Sequence, residues 1–82
     1  MKRFIYVLQQ RWVLVGNQED RTDGQICLTN TSVIRNWGTT KGLGQLALTG
    51  PTKDTKLDPC GKVFFFPASV IFAIEVASTS KL

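Results

Sequence analysis

Phe4, Tyr6 and Leu8 alternate with Ile5 and Val7, and both sets are apolar, so residues 3–8 predict a strand covered on its two faces. Gln9-Gln10 supplies a tight turn or bulge into a second strand, Arg11 to Val15, which Gly16-Asn17 halts. A polar connection from Gln18 to Gly24 leads to a third strand at Gln25 to Thr29. Short polar links of this kind favour an antiparallel meander, because neighbouring strands need no crossover.

The period then changes. Val33, Ile34 and Trp37 fall at i, i+1 and i+4, one face of a short helix that Asn30, Thr31 or Ser32 can cap and Gly38 can end. Leu43, Leu46 and Ala47, with Leu48 alongside, predict a second short helix. Thr39 or Thr40 would cap it, and Gly50-Pro51 would stop it. Gly42 and Gly44 weaken this helix, each by about 1 kcal/mol relative to alanine in a helix interior, and a glycine-rich loop feeding a strand at Gln45 to Leu48 is the alternative.

Thr49 to Lys62 reads as a surface loop with a turn at Asp58-Pro59-Cys60-Gly61. Two further strands follow, Lys62 to Phe66 and Val70 to Val76. On the latter, Val70, Phe72, Ile74 and Val76 would form an apolar stripe, with Ile71, Ala73 and Glu75 facing away. Ala77 to Leu82 is a polar tail expected to fray. The fold class predicted is mainly β with some α: a small five-stranded curled antiparallel sheet or partly closed barrel with one or two short helices, forming a single domain over 1–82.

Composition agrees with a folded domain and says more about partners. The chain has 82 residues, 43% of them hydrophobic and 20% charged. A domain of this size buries only about 60–65% of its unfolded surface, so support from a second subunit is expected. Phe64-Phe65-Phe66 puts rings on both faces of a strand, which also favours a subunit interface and a homo-oligomer. The net charge of +4 leans toward anionic partners, although the basic residues are spread along the chain. Cys27 and Cys60 are expected as reduced, partly buried thiols, a sparse complement for a secreted domain. The apolar run Phe4 to Leu8 falls short of the roughly 7–15 residues of a signal peptide's core. Val63 to Ile74 is broken by Pro67 and Ser69 and is too short to span a bilayer. A cytoplasmic protein without a membrane segment is the expectation.

Catalysis is poorly provisioned. With no histidine, neither a Ser–His nor a Cys–His pair can be built. The carboxylates Glu19, Asp20, Asp23, Asp54, Asp58 and Glu75 show no helical metal-binding spacing, and two distant cysteines do not make a zinc site. No enzyme activity, metal or cofactor is expected.

The residues best suited to a ligand are Arg35, Asn36, Trp37, Thr39, Thr40, Lys41 and Gly42. Arg35 and Lys41 would neutralise phosphates, Trp37 would stack on a base, and Asn36 with the threonines would hydrogen-bond base edges or phosphate oxygens. Gly42 would let backbone N–H groups approach an anion. The order Thr-Thr-Lys-Gly-Leu-Gly matches neither the Walker nor the dinucleotide glycine motif, and a purely structural connector would carry the same residues. Core positions are the ordinary place for tryptophan, and Trp12 is expected there. Trp37, flanked by glycine and polar residues, is the better placed of the two to stack on a ligand.

The run from Ser32 to Ala47, with Gly50-Pro51-Thr52 and Leu57-Asp58-Pro59-Cys60-Gly61, resembles a family of short proteins found in phages, prophages and bacterial genomes, over roughly residues 25–76. The resemblance implies a viral or mobile-element setting, hence the cytoplasm of a host cell, and brings no activity with it. In size and ligand-ready chemistry the chain is also similar, as a class, to phage proteins that trap nucleotide signals of bacterial immunity. The leading expectation is an oligomeric binding protein that sequesters a phosphate-bearing small molecule such as a cyclic nucleotide and so counters host defence. A small nucleic-acid-binding barrel is the second reading. The third is a module that binds a host or virion protein.

Overall fold

Residues 3–8 form the strand their alternation predicts, β1 (Arg3–Leu8), in a computed structural model that describes residues 2–82. A 3-10 turn at Gln9–Arg11 leads into β2 (Val13–Glu19), followed by β3 (Ile26–Asn36), α1 (Leu43–Thr49), β4 (Lys56–Phe65), a second 3-10 turn at Pro67–Ser69, and β5 (Val70–Glu75). The strands make one unclosed antiparallel sheet in the order β4-β3-β2-β1-β5. The first four form the meander. β5 departs from β4 yet pairs with β1 at the opposite edge.

Two apolar clusters lie on the two faces of this sheet, as the all-apolar β1 requires. On one, Ile5, Val13, Val15 and Ile34 are covered by Leu43, Leu46 and Ala47 of α1 and by Val76 and Leu82. On the other, Tyr6, Leu8, Leu14 and Leu28 meet Phe65, Val63 and Val70. This second face closes on itself by curling. Phe65 on β4 reaches Tyr6 on β1, two strands beyond its own neighbour, in an edge-on contact with ring centroids 5.2 Å apart.

The departures from the sequence reading have local causes. The helix expected over Val33 to Trp37 is instead the second half of β3, which carries β-branched Thr31, Val33 and Ile34 and is flanked by strands on both sides. A bulge around Asn30, whose φ is +49°, re-phases the alternation there and disguises it. Gly16 does not halt β2 but lies within it, where a Cβ would meet Thr31 Oγ1 at 2.8 Å and Leu28 Cβ at 2.9 Å. The turn expected at Asp58 to Gly61 is part of β4, an edge strand on which the missing N–H of Pro59 is tolerated.

The stripe expected on β5 is split. Leu8 pairs with Val70 but Val7 with Phe72, so Ile71 is an extra bulged residue, and Val70 joins one cluster while Ile74 joins the other. The tail expected to fray is docked. Ala77 donates its N–H to Ala47 O at 2.7 Å, Ser80 Oγ donates to Leu46 O at 2.9 Å, and Leu82 is buried. Arg3 secures it further, donating from Nε to Leu82 O at 3.0 Å and from Nη1 to Asn17 Oδ1 at 3.2 Å and Asn30 O at 3.1 Å.

Candidate functional site

The segment rich in candidate ligand-binding residues runs from the end of β3 to the start of α1, and the loop at 52–55 holds it by its backbone. Thr55 Oγ1 donates to Trp37 O at 2.7 Å, Thr52 Oγ1 donates to Gly38 O, and Asn36 Nδ2 donates to Asp54 O at 3.3 Å. Gly38 makes this possible. Its φ is +66°, and a Cβ there would lie 2.4 Å from the backbone of Asp54 and Thr55.

Most of the donors expected to face a ligand are already bonded to neighbouring chain. Thr39 Oγ1 donates to Gly42 O at 2.8 Å, and Gln45 Oε1 accepts from both Thr40 Oγ1 at 3.3 Å and the Lys41 N–H at 3.0 Å. Neither threonine caps α1. Gly42, with φ +81°, stands at the cap position, and the Gln45 side chain reaches back to close the turn before it. α1 itself is the helix read from Leu43 to Leu48, and Gly50 ends it as expected, donating to Leu46 O at 2.9 Å.

Arg35 lies at the end of β3, its Nε 2.9 Å from Asp58 Oδ2 in an exposed ion pair. Such pairs are worth about 0–1 kcal/mol, so a multiply charged anion can compete with Asp58 for the guanidinium. Trp37 is 42% exposed, with its ring edge over Gly42. Trp12, expected in the core, is 55% exposed, because the left-handed turn at Gln10 and Arg11 carries it to the rim of the curled face.

Two cations that the sequence reading did not single out belong to the same end of the molecule. Asn36 pairs with Lys56 across β3 and β4, and Lys53 lies in the loop bonded to residues 36–38. The segment that carries Arg35, Trp37 and Lys41 thus meets, through its backbone, the segment that carries Lys53, Asp54, Lys56 and Asp58. Only strand register could have disclosed this, since nothing in the linear order joins 35–41 to 53–56. Beside them, Thr40, Lys41, Gly44, Gln45, Leu48 and Thr49 line an open cleft of about 590 Å³ along the outer side of α1. Its volume falls within the range of about 300–1,000 Å³ usual for small-molecule sites.

Elsewhere the polar groups pair locally. Arg21 holds the Asp23 carboxyl down at about 2 through a direct hydrogen bond and lies 4.9 Å over the Phe64 ring. Cys27 is buried and Cys60 exposed, both as free thiols, and burial pushes the Cys27 thiol up. Among the described residues no three acidic, cysteine or histidine side chains converge, and no helix is long and apolar enough to cross a membrane.

The chain is a small antiparallel β protein with one covering helix and a half-exposed tryptophan between lysine-bearing segments. Comparison with protein-family models, with curated proteins and with solved structures returns no match.

Proposed function

We propose that this chain is a non-catalytic binding protein that sequesters a phosphate-bearing small molecule at its Trp37 end. The observation that supports this reading is that the segment carrying Arg35, Trp37 and Lys41 is bonded through its backbone to the segment carrying Lys53 and Lys56, with Trp37 half exposed. A ring stacks on Trp37 while the phosphates take the cations, and the cleft along α1 receives the remainder of the ligand. With the hydroxyls of Thr39 and Thr40 already bonded within the chain, the ligand is held by charge and stacking more than by side-chain hydroxyls. A cyclic oligonucleotide signal of host defence combines flat bases with phosphates in this way, in keeping with the phage resemblance.

Thermal shift with cyclic dinucleotides, linear dinucleotides, inorganic phosphate and single-stranded DNA tests this. A specific small ligand stabilises the fold by about 2.7 kcal/mol at a hundredfold excess over its Kd. Lys53→Ala combined with Lys56→Ala removes most of that shift, and Trp37→Ala removes the preference for ring-bearing ligands. A shift unchanged in these variants overturns the site. The nucleic-acid reading shares the patch, and is favoured instead if only the polymer binds, with an affinity that falls steeply with salt.

A further inference from the structure

The unclosed sheet has two free edges, and they differ in kind. Along β4, Lys56, Asp58, Pro59 and Lys62 occupy the strand, and its pairing with β3 shifts register at three places. Charges, a proline and bulges are the devices by which an edge avoids pairing with another chain. β5 carries none of these from Val70 to Ile74 except the single bulge at Ile71. Its neighbourhood is exposed and apolar: Phe66 is 62% exposed, Ile71 61% and Phe72 49%.

We infer that β5 is the interface for a second copy of this chain, pairing antiparallel with its own counterpart about a two-fold axis. Charge selects the occupant. Each copy carries a net +4, and like copies repel wherever their basic residues meet, but no charged residue occurs between Lys62 and Glu75. An acidic partner would find no cation along this edge. A two-fold pairing also keeps like charges apart, because the Glu75 carboxylates fall at opposite ends of the paired strands, each beside a Lys2 at 3.8 Å. One strand serves both sides of such an interface, so no second complementary surface is required. The outward backbone groups of β5 are then satisfied, Phe66, Ile71 and Phe72 lose water, and one sheet runs through both copies. This inference stands apart from the ligand reading and does not depend on it.

The test is the solution mass of the full chain over a concentration series, with hydrogen exchange on the same samples. The expected result is twice the monomer mass, with amides of Val70–Ile74 slowing as the dimer forms. Ile71→Lys and Phe72→Lys, made separately, each weaken dimerisation by about a hundredfold, since each loses an apolar anchor twice and sets two ammonium groups near the axis. A single-copy mass throughout overturns the proposal. So do dimers that persist in both variants, protection that falls on Lys56–Phe65, or a mass that keeps growing, which would signal β4-to-β5 addition. Exchange on the unaltered chain keeps the test decisive if either variant fails to fold.

Discussion

The Trp37 end and the β5 edge invert one another. At the first, hydroxyls, amides and charged groups crowd a short stretch, yet Thr39, Thr40, Thr52, Thr55, Asn36 and Gln45 bond chiefly to neighbouring chain and leave cations and one indole outward. At the second, the side chains are almost wholly apolar, and the groups without partners are the backbone's own. Polar residue types therefore do not mark where binding capacity lies. Their partners within the fold decide it.

The sharpest way to break this contrast is Gly38→Ala. A left-handed residue with backbone 2.4 Å from its added Cβ must either shift or expel the 52–55 loop. Strain and overpacking together should cost about 3–5 kcal/mol in urea unfolding. A loss below about 1 kcal/mol would show that the loop does not clasp this segment. Thr55→Val is milder, since it removes the donor to Trp37 O and the acceptor for the Thr52 N–H, which lies 2.9 Å away. A cost of about 1–2 kcal/mol is expected, together with faster exchange at Thr52.

The smallest effect concerns the strand on which β5 rests. Tyr6 stands opposite Ala73, its hydroxyl donating to Gln18 Oε1, and burial raises its pKa above the usual 10. The unfolded chain therefore gives up this proton first. Stability from Tyr6 is complete below about pH 10 and declines as pH rises through the folded-state value. Tyr6→Phe should flatten that alkaline decline while leaving the Trp37 end unaffected.

Much of the sheet was legible because β1, β2 and β5 announce themselves as runs of β-branched and aromatic apolar residues, and α1 by Leu43, Leu46 and Gly50. What misled were positions where alternation slips. The bulge at Asn30 made the end of β3 look helical, and the bulges of β4 made Pro59 and Gly61 look like a turn. The candidate site was legible by residue type at Arg35, Trp37 and Lys41. Its other half was not, because Lys53 and Lys56 join it only through the pairing of β3 with β4 and the clasp of Thr52 and Thr55. The docked tail was hidden for a related reason: its polar residues bond to carbonyls of α1, a contact that no local pattern encodes.

The sheet order also governs when the protein can become itself during synthesis. Phe4 sits opposite Glu75, so β1, made before the other strands of this sheet, waits for β5 before its outer backbone is satisfied. Until then β1 offers Phe4, Ile5, Tyr6, Val7 and Leu8 to any passing strand, a window in which nascent chains are open to mispairing. Pairings between residues so far apart in sequence slow folding, and this late closure is the step on which yield in the cell should depend most strongly.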